Sequence, residues 1–254
     1  MSQPTIIEVR DLKKSYGDFE AVKGISFDVH EGEIFGLLGP NGAGKSTSLE
    51  IMETLRPKSS GQVRIGGFDL DTHTAEIKRI IGVQLQTSGF YPGLSLVELI
   101  ELFNGLYNES ADPMELLRQV NLEDKRDARV KSLSGGQKQR FSIATTLINR
   151  PRIIFLDEPT TGLDPQARRN LWDLIRRIRD KGTTVIITTH YMDEAEMLCD
   201  RVAIMDEGRI IAIDTPSEMI DGLIRSGFVR QREVKAASLE DVFIHLTGHE
   251  MRED

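Results

Sequence analysis

The sequence predicts an α/β fold: a core interrupted by an α-helical insert and preceded by a β-rich N-terminal layer. Three observations predict it. The short apolar runs Ile34–Leu38, Ile153–Leu156 and Val185–Ile187 have the continuous character of strands buried on both faces. Amphipathic segments with helical spacing lie between such runs. The N-terminal segments Thr5–Arg10 and Ala21–Val29 are β-branched and partly alternating, with Tyr16-Gly17-Asp18 as a turn between them.

Element by element, Ser46–Leu55 follows a glycine-rich turn and reads as a helix with Leu49, Met52 and Leu55 on one face and Pro57 beyond its end. Ser59-Ser60-Gly61 turns into a strand near Val63–Ile65. From about Tyr91 to Val130 the spacing is helical, with Leu96, Leu99, Ile100 and Phe103, then Met114, Leu117 and Val120, as apolar faces. Ser134 opens a further helix running to about Ile148, and Ala167–Arg179 is amphipathic. Asp193–Asp200 reads as a short helix. Val202–Met205 and Ile210–Ile213 flank Glu207-Gly208 as a terminal hairpin. No internal repeat or low-complexity tract interrupts the pattern.

Composition bounds the function. The chain has 254 residues, with 40 acidic side chains against 32 Lys plus Arg and a net charge of −8, a balance that argues against a phosphate-backbone binder. No nucleic acid is expected as a partner. The longest apolar run, Ile34–Gly39, falls far short of the roughly 20 residues of a membrane span. Met1-Ser2-Gln3-Pro4 lacks the basic and apolar regions of a secretory signal, which points to the cytoplasm. Cys199 is the only cysteine, so an internal disulfide and a multi-cysteine zinc site are excluded, and it reads as a small core residue.

Gly39-Pro40-Asn41-Gly42-Ala43-Gly44-Lys45-Ser46 has the spacing of a phosphate-cradling loop. Glycines let backbone N–H groups approach phosphate oxygens, and the helix start behind them presents unpaired donors and its positive dipole end. Lys45 supplies a cation for the β- and γ-phosphates, and Ser46 a hydroxyl for Mg²⁺. At the end of the run Ile153–Leu156, Asp157 and Glu158 arrive where ligands bind in open α/β sheets. Neighbours on a strand point oppositely, so the two acids take separate tasks: Asp157 holds Mg²⁺, directly or through water, and Glu158 polarises the attacking water. Leu133-Ser134-Gly135-Gly136-Gln137 forms a second helix start with exposed donors.

The phosphate loop, Leu133-Ser134-Gly135-Gly136-Gln137 and Phe155-Leu156-Asp157-Glu158-Pro159, in that order along the chain, resemble the nucleotide-binding subunit of an ABC transporter over nearly all of residues 5–220. The resemblance implies a P-loop NTPase fold with a mixed or parallel core sheet, an antiparallel N-terminal layer and a helical subdomain at about 90–150. It implies an ATPase domain over 1–220 and a C-terminal extension over 221–254. ATP and Mg²⁺ are the implied cofactors, with nucleotide contacts running from Gly39 to Thr47. Tyr16 would stack on adenine beside Val22, and Gln86 would sense Mg²⁺ and the transmembrane partner. Gln84 also stands close enough for that role; Gln86 is chosen on its distance from Ile81-Gly82, with Leu85 where many members have proline. Ser134, Gly135, Gly136 and Gln137 would touch the γ-phosphate held by the opposite subunit. Thr161-Gly162-Leu163-Asp164 would cross the dimer interface, and His190 would touch the γ-phosphate. His30, His73, His245 and His249 read as surface or packing residues.

Two further stretches, Tyr91-Pro92-Gly93-Leu94-Ser95-Leu96 and the amphipathic Ser238–Gly248, resemble exporter-type subunits for drugs, sodium and polysaccharides. The implied partners are a second copy or a paralogous ATPase subunit, and transmembrane permease subunits that hold the protein peripherally on the inner membrane face. Segment 86–94, with Phe90, Tyr91 and Leu94 after a glycine, is the expected docking surface. The alternative is a soluble ABC ATPase of iron–sulfur assembly. The absence of both Asn/Thr-Lys-x-Asp and Asp-x-x-Gly from the chain argues against a GTP-dependent switch.

Overall fold

The computed structural model describes residues 4–84 and 89–228. Gln86 and the amphipathic segment Ser238–Gly248 lie outside these described residues, as do His245 and His249. The chain divides into two compact units, Met1–Glu218 and Met219–Asp254.

In chain order the elements are β1 (Thr5–Tyr16), β2 (Phe19–His30), β3 (Ile34–Leu38), α1 (Lys45–Met52), β4 (Ser60–Ile65), β5 (Phe68–Asp69), α2 (Thr74–Ile80) and β6 (Ile81–Gln84). They continue with α3 (Leu96–Tyr107), α4 (Pro113–Gln119), α5 (Gly135–Thr146), β7 (Ile153–Asp157), α6 (Pro165–Asp180) and β8 (Thr184–Thr189). The last are α7 (Met192–Leu198), β9 (Arg201–Asp206), β10 (Arg209–Asp214) and α8 (Pro216–Arg225).

Two sheets result. β2-β1-β4-β5 is antiparallel, and β10-β9-β3-β8-β7-β6 is parallel except at its β10 edge. This is the mixed α/β architecture the sequence implies.

The apolar strand runs are buried on both faces, as expected, and their period of two sorts them into two cores. Ile154, Leu156, Val185 and Ile187 join the core packed by α3 to α7. Ile153, Phe155 and Ile186 join the core shared with α1, α2 and the antiparallel sheet. The large sheet is therefore the middle of three layers.

Boundaries moved where caps decide them. Ser95 caps α3 through a reciprocal box with Glu98, so the helix starts five residues after Tyr91, at Leu96. The helix expected to reach Leu55 ends at Met52: Thr54 takes a left-handed conformation (φ 63°), Leu55 N–H and Arg56 N–H both donate to the Glu50 carbonyl, and Leu55 is exposed. Tyr16 is still in β1, paired with Phe19, which leaves Gly17-Asp18 as the turn. β5, α2 and β6 have no counterpart in the sequence reading. They are short, and the β6 run is interrupted by Gly82, so neither periodicity develops over enough residues.

The topology places the site. β3, β8 and β7 are parallel neighbours, with Leu38 opposite Thr189 and Thr188 opposite Asp157. Their C-terminal ends therefore deliver the phosphate loop, His190 and the acidic pair side by side.

Candidate nucleotide site

The glycine loop leaves β3 and closes into α1. Gly44 has φ 96°, and a Cβ there would meet the Ala21 carbonyl oxygen at 2.6 Å, so only glycine fits. Gly39 is equally constrained: a Cβ would lie 2.2 Å from the Met205 carbonyl oxygen. Val22 is wholly buried against this loop, its Cγ2 3.5 Å from where a Gly44 Cβ would be. Ala43 is also buried, whereas Asn41 and Gly42 at the loop tip are exposed.

Lys45 is buried, and its Nζ donates to the carbonyls of Gly39 (2.9 Å) and Pro40 (3.0 Å). Glu158 Oε1 stands 3.8 Å from the same nitrogen. Burial lowers the Lys45 pKa, against the opposing pull of Glu158 and Asp157. Ser46 Oγ donates to Asp157 Oδ1 at 3.2 Å. A hydroxyl and a carboxylate brought together as hard oxygen donors suit Mg²⁺.

Strand alternation had sent Asp157 and Glu158 to opposite sides. The structure corrects this. β7 ends at Asp157, and Glu158 adopts a left-handed conformation with φ 46°, so strand alternation does not set the direction of its side chain. Such a backbone costs about 1–3 kcal/mol and must be held. Thr188 holds it: Glu158 N–H donates to both the Oγ1 (3.0 Å) and the carbonyl (3.2 Å) of Thr188. The same hydroxyl donates to Asp157 Oδ1. Thr161 Oγ1 donates to Glu158 Oε2 at 3.2 Å, and His190 Nδ1 meets Glu158 Oε1 at 3.1 Å. Lys45, Ser46, Asp157, Glu158 and His190 thus converge. Thr188 was missed, although a polar residue inside a wholly buried strand was the available signal.

The remaining candidates lie around this centre. Tyr16 is exposed, with Lys14 Nζ 5.1 Å and Arg56 Cζ 5.4 Å from its ring centroid. Ser134 caps α5 in a reciprocal box with Gln137, and Asp164 caps α6 through Ala167 N–H at 2.8 Å. Among the described residues no hydrogen bond or ion pair joins Ser134–Gln137 to the phosphate loop of the same chain. Gln84 is buried and donates to Gln139 on α5, at 2.9 Å. Phe90 and Leu94 pack inward, Phe90 against Phe103 and Phe141, which leaves Tyr91 as the outward apolar group of the expected docking segment. Cys199 packs in the core, where burial pushes its thiol up, as befits a residue with a structural role.

Glu53, at the C-terminal end of α1, was not singled out. It is buried, and burial, reinforced by the charges of Asp157 and Glu50, pushes its carboxyl up to about 8. The unfolded carboxyl ionises near 4.5 while the folded one keeps its proton, so stability falls as pH rises from about 4.5 to 8. Glu53→Gln should remove that decline. Urea titrations at pH 5 and pH 8 should show a smaller loss of stability in the variant than in the parent, since Glu33, also raised by burial, still contributes, and an unchanged pH dependence would exonerate Glu53.

Comparison with known proteins matches this geometry. Residues 22–161 match the ABC transporter family. Linearmycin resistance ATP-binding protein LnrL of Bacillus subtilis (strain 168) is 38% identical over 86% of this chain and 72% of its own length. Nod factor export ATP-binding protein I of Burkholderia orbicola (strain AU 1054) is 35% identical over 97% of this chain and 98% of its own. A dimeric ATP-binding cassette in a post-hydrolysis state with ADP and Pi superposes with a TM-score of 0.73 at 28% identity, over 83% of this chain and 98% of that one. Among the described residues no helix is long and apolar enough to cross a membrane. Sequence relatives that align along nearly the whole chain, and a fold whose strand ends converge on one phosphate loop, lead to the same place: the chain belongs to the ABC transporter family, as an ATP-binding, ATP-hydrolysing subunit.

Proposed function

We propose that this ATPase powers export through separate transmembrane permease subunits, working as a dimer with a second copy or a paralogue on the cytoplasmic face of the membrane. The reading is supported by the names of the relatives, a Nod factor export protein and a linearmycin resistance protein among them. None of these favours the iron–sulfur alternative. The ATPase domain is taken to span 1–220, with its helical subdomain at about 90–150 and a C-terminal extension over 221–254.

The observation that carries the chemistry is the convergence on Glu158. In this reading Gly39–Thr47 hold the phosphates, with Lys45 against the β/γ oxygens, Tyr16 stacks on the base and Val22 backs the loop. Ser46 and Asp157 hold Mg²⁺, with Gln86 as a further ligand; when bound, the ion neutralises phosphate charge and orients the γ-phosphoryl group. Glu158 accepts the proton of the attacking water, with His190 and Thr161 fixing its carboxylate. Ser134–Gln137 and Asp164 complete the site of the opposite chain, so the nucleotide is shared between two chains.

Partner docking is tested by cysteine crosslinking from positions 86–94 to a co-purified membrane subunit. With Phe90 and Leu94 turned inward, Tyr91→Cys should crosslink most strongly. Failure at every position of the segment would move the docking surface elsewhere.

A further inference from the structure

His190 is also reached from within its own chain, by contacts that the hydrolytic reading leaves unused. The start of α5 rests directly on α6: a Cβ on Gly136 would lie 3.0 Å from Ala167 Cβ, and one on Gly135 would lie 3.7 Å from Leu163 Cδ2. The next residue along α6 is Arg168. Its guanidinium carbon stands 4.7 Å from the centroid of the Tyr191 ring, and its Nη1 pairs with Asp193 at 3.2 Å. Both of these guanidinium contacts, to Tyr191 and to Asp193, come from the segment that follows His190, while Arg168 Nε is buried without a partner. Tyr191 and His190 have ring centroids 4.1 Å apart, and His190 touches Glu158 at 3.1 Å. Below this contact a buried hydrogen bond of 3.0 Å from Trp172 Nε1 to Glu194 fastens α6 to α7.

We infer that Arg168 and Tyr191 are positioning residues linking the Ser134–Gly136 helix start to His190, so that each chain's hydrolytic site responds to the nucleotide seated on its own signature. This rests on the reading in which Ser134–Gln137 engage ATP held by a second chain. A movement of the α5 start is passed to Ala167 by direct contact, because the two glycines leave no side chain between the helices. From there it reaches the Arg168 guanidinium and the Tyr191 face. A cation held over an aromatic face keeps its attraction only over a narrow range of positions, so displacement of α6 turns the Tyr191–His190 pair. The His190–Glu158 contact then opens or closes. The two ATP sites of the dimer are coupled in this way without touching each other.

The test is steady-state ATP hydrolysis by the full chain against ATP concentration. Arg168→Met keeps the aliphatic stem and removes the guanidinium; Tyr191→Leu removes the ring, and Tyr191→Phe keeps it. The parent should be cooperative. Arg168→Met and Tyr191→Leu should lower kcat about 10–100-fold, the cost of a misplaced reacting group, and bring the Hill coefficient to about 1. ATP binding by equilibrium dialysis should be unchanged, and Tyr191→Phe should behave as the parent. Should Arg168→Met not fold, Arg168→Lys, which keeps the charge and loses the planar fork, should still reduce the Hill coefficient. Parent-like kcat and cooperativity in Arg168→Met, or Arg168→Lys in its place, overturns the inference. So does a Tyr191→Phe protein as impaired as Tyr191→Leu, or a parent with a Hill coefficient of 1. Failure of the shared-nucleotide reading shows separately, as the absence of an ATP-driven dimer in Glu158→Gln alone.

Discussion

Glu158→Gln should bind ATP nearly as well as the parent, hydrolyse it about 10²–10⁴-fold more slowly, and accumulate as an ATP-bound dimer. The amide has almost the shape of the carboxylate but cannot take a proton from water, so chemistry stops while the fold persists. Its oxygen can still accept from His190, and the backbone turn at Glu158 is held by Thr188, which the substitution leaves alone. Because the γ-phosphate is then retained, the two chains of the proposed dimer would keep their shared ligand, its charge met by Lys45 and Mg²⁺ from one side and by the α5 dipole from the other. Gel filtration with light scattering should show the dimer only with ATP present. Adding Ser134→Arg places bulk and charge in an exposed helix cap and should return the protein to monomer. A double variant that still dimerises on ATP would show that the chains do not share the nucleotide.

Lys45→Ala should weaken ATP binding about 10–100-fold, the worth of a charge-assisted hydrogen bond to phosphate, and abolish measurable hydrolysis. The lysine is confined by the carbonyls of Gly39 and Pro40 on one side and by Glu158 on the other, so it meets phosphate with little side-chain freedom left to lose. Burial already disfavours its charge, and an arriving polyphosphate favours it, so substrate relieves a cost the folded chain carries. Nucleotide titration and phosphate release, measured together, separate the binding loss from the catalytic one. Unchanged hydrolysis would remove Lys45 from the site.

Some of this arrangement was legible before any coordinates. The phosphate loop and the start of α1 form one continuous segment, and its contacts depend on glycine, lysine and serine at fixed spacing. Buried strands announced themselves because a central parallel sheet must be apolar on both faces. The start of α5 at Gly135 followed from Ser134 as a cap, whose bond is local, whereas the helical spacing expected from about Tyr91 becomes a helix only at Leu96, behind the Ser95–Glu98 box. Leu55 was misjudged because its helix is stopped by a left-handed threonine, a residue type with no strong preference for that conformation.

Residue types and their order along the chain therefore determined which chemistry is available: a phosphate cradle, a cation, two carboxylates and a second capped helix start. Only the tertiary structure decided that Glu158 leaves the strand and turns toward Lys45 and His190, because that turn depends on Thr188 lying across from Asp157 in the β7–β8 register. It also decided which apolar residues of the 89–94 segment face inward, and that Arg168 meets Tyr191. These are contacts between segments far apart in sequence. Their partners are chosen by the packing of three layers against one another, and no local preference of either residue encodes that choice.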